Sequence, residues 1–227
     1  MEPNRLNRNY RVSAVSQALQ AVTDSVASGF VPEIPEVIVI RPVRNDREMD
    51  DVCRLTHDAY VERGYCVPQP TGRLIHHPRH DGIPETTVLI AERNRSIVGT
   101  NSLTLDGPKG LPVDTDFGTE CDAIRATGRR LASSWRIATR KDCRDEQKIV
   151  MGLIRETLRL GTLYGVQTCV FTFNPRHERI YERLLNMKTV ARNEGTAGLE
   201  NAPAVFMRLD VETLPEWCCE VVGAACA

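Results

Sequence analysis

Asn174 follows the apolar stretch VQTCVFTF, and Tyr181 comes seven residues later within NPRHERIYERLL, so a strand end and a helix start bring an amide and a phenol together. A strand end beside a helix start offers a slot for a thin extended arm, and a phenol there can protonate a leaving group. Both residues also have plainer uses: Asn174 caps the helix, and Tyr181 packs with Ile180 and Leu184. A second group lies on RLASSWRIAT, where Ser133, Ser134 and Trp135 precede Arg136, Ile137 and Ala138. Backbone amides around Trp135–Ala138 can polarise a carbonyl as an oxyanion site. Ser133 and Ser134 can hold a water or position an amine, and as plain strand residues they need no role. Arg136 suits a substrate carboxylate or an acid across the sheet.

That strand runs into Arg140-Lys141-Asp142-Cys143-Arg144-Asp145, a strand-to-helix junction without glycine. Residues with Cβ atoms obstruct the close backbone wrapping that a diphosphate needs. The helix N-terminus with Arg140, Lys141 and Arg144 still makes an anion site, better suited to a single phosphate than to a diphosphate. On the helix that follows, Lys148, Arg155 and Arg159 fall within about 40° of one another at about 100° per residue. Ile149, Leu153, Leu160 and Tyr164 take a separate, core-ward face. Such a basic stripe either orients an acidic carrier protein or is a solvated face.

His76, His77 and His80 in IHHPRHDG invite a metal reading, but no cysteine or helical histidine pair accompanies them, so no metal is expected. Substrate gating or a solvated loop fits them better. Eight cysteines with no CxxC pair read as reduced. The formal net charge of -1 gives no bulk attraction to nucleic acid or to a membrane surface. MEPNRLNRNYRV lacks the apolar run of a signal peptide, and no stretch of eighteen apolar residues occurs, so a cytoplasmic protein without integral membrane association is expected.

The elements that must position these residues follow from periodicity. Val12, Val15, Leu19, Val22 and Val26 make an amphipathic helix of Tyr10 to Ser28, which the PEIPE segment separates from the rest. EVIVIRPV (36–43) is a strand, and Asn45 with Glu48 resembles a capping box opening a helix to about Arg63. After a polar segment (64–85), long enough for a lid, TTVLIAER and SIVGTNSLTL flank Asn94-Arg95 as a hairpin. Residues 107–128 are irregular, with a short helix near Glu120–Ala126. Strand RLASSWRIAT, helix Glu146–Tyr164, strand VQTCVFTF, a helix to Leu185 and the strands MKTVAR and APAVFMRLDV complete the order. A mixed α/β (α+β) domain over 35–213 is expected, with a central, mostly antiparallel sheet flanked by helices, an appendage over 1–34 and a tail over 214–227.

This order, with the asparagine and tyrosine of NPRHERIYERLL, resembles the GCN5-related N-acetyltransferase (GNAT) superfamily, whose fold is then expected. With VIVIRPVRNDREMDDVCRLTHDAYVERGY, SIVGTNSLTL, RLASSWRIAT and LENAPAVFMRLD, the chain looks like the long-chain N-acyl amino acid synthases, the FeeM-type N-acyltyrosine synthases. These are relatives of the acyl-homoserine lactone synthases, and the resemblance covers roughly residues 36–212. It implies transfer of a fatty acyl group from acyl carrier protein to the α-amine of an amino acid, tyrosine in the closest family, with no permanently bound cofactor. By the same resemblance Asp81 aligns with an acidic position that binds the amine, Asn101 and Phe173 join the substrate site, and Asn174 joins the phosphopantetheine site. Acyl-homoserine lactone synthases carry Glu-x-Ser-Arg here; aligned on Arg136, this chain has Ser133 and Trp135 instead, and no tryptophan in 64–85. Both departures disfavour a lactone product and leave the general base unassigned. An acyl-CoA-dependent GNAT enzyme and a non-catalytic acyl or carrier sensor are the alternative readings.

Overall fold

A computed structural model describes residues 37–141, 143, 145–195 and 202–218. The chain divides into two units, Met1–Val37 and Ile38–Ala227. The helix expected over Tyr10 to Ser28, Arg144 and the tail beyond Cys218 lie outside the described residues. The second unit runs β1 (Val39–Pro42), α1 (Asp46–Glu62), β2 (Thr86–Arg93), β3 (Ser96–Leu105), α2 (Asp114–Arg125) and β4 (Leu131–Thr139). It continues with α3 (Glu146–Leu163), β5 (Thr168–Phe173), a 3-10 turn (Pro175–His177), α4 (Glu178–Leu185), β6 (Lys188–Asn193) and β7 (Ala204–Asp210). The strands form one sheet in the order β1-β2-β3-β4-β5-β7-β6, antiparallel except for the β4–β5 pair.

Local chemistry explains most boundaries. Asn45 caps α1 by accepting from the Glu48 amide at 3.0 Å, but the Glu48 carboxylate turns to the Arg44 amide and to Arg41, so only half of the expected capping box forms. Asn94 and Arg95 both take left-handed backbone angles, as a two-residue hairpin turn requires. Gly99 on β3 lies so close to α3 that a Cβ there would meet Ile149 Cγ2 at 2.6 Å. Helix α2 begins well before the expected Glu120, with a non-helical break at Phe117 that hides its periodicity. Tyr164, expected to face the core, follows the last turn of α3 and is exposed, while Ile149, Leu153 and Leu160 are buried.

Side chains alternate across the sheet. Ala132, Phe171, Val205 and Met207 join the core beneath α3 and α4. Leu131, Val170 and Phe206 face the other side, with α2. Two irregularities of β4 position the site. Between the pairs Ser102↔Trp135 and Thr100↔Ala138, Arg136 and Ile137 stand against Asn101 alone, a β-bulge at which Arg136 has φ 63°. Moreover, β4 and β5 pair only at Leu131↔Thr168, Ala132↔Cys169 and Ser133↔Val170. From Ser134 onward the two strands separate.

Candidate active site

The gap between the separated strands is a cavity of about 280 Å³. Its lining comes from both faces of the sheet, so it passes through the layer. On the α1 side lie Tyr60, Tyr65, His76, His77, Trp135 and Arg136. On the α3 side the walls are apolar: Ile154, Leu158, Gly161, Val166, Leu185 and Met187. Phe171 and Phe173 lie on this same side, stacked with centroids 5.4 Å apart, and Tyr181 stacks on Phe173 at 4.1 Å. Leu153 belongs wholly to the core.

The bulge turns Arg136 onto the same side as Trp135, and its guanidinium lies 4.3 Å from the Trp135 ring centroid. Its side chain is 0 % exposed and pairs with Asp81. Among the described residues Nε and Nη1 of Arg136 and Oδ2 of Asp81 have no hydrogen-bond partner. A buried guanidinium with two free donors bordering a cavity is a site for an anion, because unmade hydrogen bonds at a buried charge cost free energy that a carboxylate would recover. Ile137 and Ala138 continue the cavity wall past the bulge.

The other expected residues fall into place around this pair. Ser134 exchanges hydrogen bonds with Asn101 (2.9 and 3.2 Å), and Asn101 also donates to Thr157 at 2.8 Å, a buried network that fixes α3 against β3 and β4. The indole of Trp135 donates to Thr104 at 2.9 Å, so the tryptophan is a wall. Ser133 is buried on the cavity lining. Asn174 accepts from the Arg176 amide at 3.2 Å and lines the cavity. Burial pushes Tyr181 up to about 12, with Tyr65 adding to the shift, so its phenol is a protonated donor at neutral pH.

Tyr65 and His177 escaped the sequence reading. They come from the loop after α1 and from the 3-10 turn after β5, and the Tyr65 hydroxyl lies 2.9 Å from His177 Nε2 on the cavity lining. The only sequence signals were a tyrosine just past a helix end and a histidine inside NPRHERIYERLL.

At the glycine-free junction, Asp145 takes a left-handed conformation and makes no side-chain cap. Arg140 and Lys141 line a separate polar groove with Arg47, Asp58, Glu62 and Arg95, and this groove meets the cavity at Thr139. Lys141 pairs with Glu62 at 2.9 Å, Lys148 with Asp145 at 2.9 Å and Arg159 with Glu156 at 2.7 Å, while Arg155 lies over Trp217. Exposed pairs of this kind are worth little, so they leave the cations available to an incoming anion.

The segment 64–85 packs back on α1, through Leu74 to the Cys53 carbonyl at 3.1 Å and Gln69 to His57 Nε2 at 2.9 Å. His80 is buried and His76 and His77 are partly so, which corrects the expectation of a solvated loop. His76 and His77 approach to 4.1 Å between ring centroids, and His77 meets the Trp135 ring edge-on at 5.0 Å. Among the described residues no group of three His, Cys, Asp or Glu is placed to hold a metal ion.

Burial, reinforced by Arg136, pulls His76 down to about 4. Burial, then His76, His80 and Arg136, pulls His77 to about 2. Between these values and the ordinary imidazole value of about 6.5, the unfolded chain binds protons that the folded chain refuses, so stability rises with pH across that window. Denaturation midpoints are expected to fall as pH drops from about 6.5 toward 4, with a slope of at most about 1.4 kcal/mol per pH unit for each group. The double variant His76→Gln/His77→Gln should flatten this slope in urea titrations; an unchanged slope would assign it to other groups.

A family described as N-acyl amino acid synthase FeeM matches residues 51–210. No curated protein matches the sequence. Among solved structures, FeeM, an N-acyl amino acid synthase from uncultured soil microbes, superposes with a TM-score of 0.68 at 24% identity, covering 80% of this chain and 93% of that one. The acyl-homoserine lactone synthase LasI gives 0.58 at 16% identity, covering 77% and 90%. The CoA-dependent acyl-homoserine lactone synthase BjaI gives 0.55 at 16%, covering 82% and 87%. Acyl-CoA N-acyltransferases of the GNAT type share the fold at lower scores. Among the described residues no helix is long and apolar enough to cross a membrane.

Proposed function

The chain belongs to the N-acyl amino acid synthase FeeM family and is an acyltransferase, and we propose that it joins a long-chain fatty acyl group from acyl carrier protein to the α-amine of an amino acid, tyrosine first among acceptors. The observation that carries this reading is the cavity through the sheet, with an apolar arm beneath α3 and an aromatic, cationic arm beside α1. Such a cavity admits two substrates from opposite faces and lets them meet at the bulge.

The acyl chain lies along Ile154, Leu158, Gly161 and Met187, and its thioester carbonyl rests at the bulge, polarised by backbone amides around Trp135–Ala138. Arg136 takes the α-carboxylate on its two unpartnered nitrogens, and Asp81, paired with the same guanidinium, orients the amine. Aromatic rings of Tyr60 and Trp135 receive an aromatic side chain. Ser133 borders the reacting centre, while Ser134 and Asn101 hold the wall in place. Holding both reactants in one slot supplies much of the acceleration. Tyr181 gives the leaving thiolate its proton.

A carrier rather than free CoA is favoured by the junction, whose Cβ-bearing residues leave no room to wrap a diphosphate. Arg140 and Lys141, with Arg144, receive the single phosphodiester, and Lys148, Arg155 and Arg159 orient the acidic carrier. Reversing Lys148, Arg155 and Arg159 to glutamate is expected to raise KM for the carrier substrate at least tenfold, about 1.4 kcal/mol, with kcat nearly unchanged. Equal KM in wild type and variant would remove this docking face.

The test of the function is mass spectrometry of the protein with a long-chain acyl carrier thioester and all twenty amino acids. One dominant N-acyl amino acid, formed faster than from the matching acyl-CoA, is the expected result. Transfer from acyl-CoA alone would overturn the carrier assignment, and an intact thioester with every acceptor would overturn the reading.

A further inference from the structure

Tyr65 and His177 on the cavity wall, linked to the exposed Arg176 outside the lining, make a group that the residues discussed so far leave without a task. Arg176 Nε donates to His177 Nε2 at 3.2 Å, and Arg176 Nη2 donates to the Tyr65 oxygen. A guanidinium only donates, so Nε2 is the lone-pair nitrogen of the imidazole, and its one lone pair is shared between the longer Arg176 contact and the Tyr65 hydroxyl, which donates to it from 2.9 Å. The Tyr65 oxygen then accepts from Arg176 and keeps a lone pair for a further donor. The Arg176 guanidinium also lies 4.8 Å from the Tyr65 ring centroid, which holds the ring in place.

The location matters as much as the hydrogen bonds. Tyr65 meets Tyr60 edge-on at 5.6 Å, and Tyr60 meets His76 at 5.8 Å, so Tyr65 adjoins the arm that contains Arg136. His177 sits one short turn beyond Phe173 and Asn174, at the end of β5 where the strands are apart. The pair therefore stands between the acceptor arm and the thioester position.

We propose that Tyr65 and His177 form the proton relay that deprotonates the attacking amine, the role for which the sequence offers no carboxylate. This rests on the N-acyl transfer proposed above. As the amine nitrogen forms its bond to the carbonyl carbon, the Tyr65 oxygen takes an N–H proton and passes its own proton to His177 Nε2. Collapse of the tetrahedral intermediate breaks the C–S bond, with the electron pair leaving on sulfur. The thiolate takes a proton from Tyr181; the imidazolium then releases its proton to solvent and the tyrosinate takes one up from solvent, which restores both groups. In net terms one proton passes from amine to thiol in each cycle, and no other reactant is consumed. Burial, Arg176 and Arg63 all lower the His177 value, so the imidazole is neutral and ready to accept at neutral pH.

The experiment compares wild type with Tyr65→Phe and His177→Gln, using a long-chain acyl carrier thioester and the preferred amino acid across pH. Both variants are expected to lose about 10²–10⁴-fold in kcat, with KM for each substrate held within about threefold. Wild-type kcat/KM should show an acid limb below about pH 6.5 that His177→Gln lacks. The limb from the substrate amine, at higher pH, should persist in all three. A His177→Gln enzyme within about threefold of wild-type kcat, or one that keeps the acid limb, would overturn the relay while leaving N-acyl transfer intact. A rise in KM with kcat unchanged would likewise overturn it, by making the pair a binding feature only. A wild type that forms no N-acyl product would defeat the parent reading and the relay together.

Discussion

Arg136→Leu is expected to abolish acyl transfer and to destabilise the protein by about 3–5 kcal/mol, the range for breaking a buried ion pair from one side. The Arg136 side chain is wholly buried and that of Asp81 is 15 % exposed, and Oδ2 of Asp81 has no partner among the described residues even with the arginine present. Leucine would strand that carboxylate in a site it shares with His76, His77 and Trp135. Urea titration reads the stability loss, and Arg136→Leu/Asp81→Leu should recover most of it without recovering activity. The two effects separate in Arg136→Lys, which keeps the charge and loses the fork. There KM for the amino acid should rise about tenfold to a hundredfold, the worth of one or two charge-assisted hydrogen bonds, with smaller change in KM for the acyl donor. An Arg136→Lys enzyme with unaltered amino-acid KM would place the acceptor carboxylate elsewhere.

Gly161→Phe is expected to shift the donor preference toward shorter acyl chains, if the acyl group lies as proposed. Gly161 lies on α3 where it lines the cavity, and a Cβ there would meet only Val166, at 3.7 Å and beyond, an ordinary contact. A helix-interior glycine is about 1 kcal/mol less favourable than alanine, so the backbone gains from substitution. A phenyl group projecting toward Val166 and Leu158 would displace part of the acyl chain. Each methylene kept out of an apolar site forgoes about 0.8 kcal/mol, so losing room for three costs long donors about 2.4 kcal/mol, or about sixtyfold in selectivity. Competition between donors of different length reads this directly, and a length preference identical to wild type would show that the chain runs elsewhere.

The order of elements could be read from the chain because their signals are local. The alternation in TTVLIAER and SIVGTNSLTL, the turn residues Asn94 and Arg95 and the cap at Asn45 each act within a few positions. Helix α2 could not be read in full, since Phe117 leaves the helical region and splits the pattern. Of the candidate site, residues that share one element, such as Ser133 to Ala138, could be named together from the chain, whereas contacts between elements could not. Tyr65 and His177 are 112 positions apart, and Arg136 and Asp81 are 55 apart. Tertiary folding makes those pairs, and no spacing rule announces them. The histidines of IHHPRHDG carried no periodicity, and their burial arises from the way 64–85 folds back on α1. The bulge was equally hidden, because an arginine in a left-handed conformation leaves no mark in composition.

The short β4–β5 ladder has a mechanical consequence. The sheet amounts to two plates, β1-β2-β3-β4 and β5-β7-β6, joined along a seam of three residue pairs. A ligand lying in the cavity would touch β4 on one plate and β5 on the other, and so act as a strut across the shortest strand ladder among the described residues. Occupancy then stiffens the sheet as a whole, since separating the plates would also tear the ligand from one of them. The empty and loaded enzymes should differ most in the amide exchange of Thr168 to Val170, the β5 side of that seam.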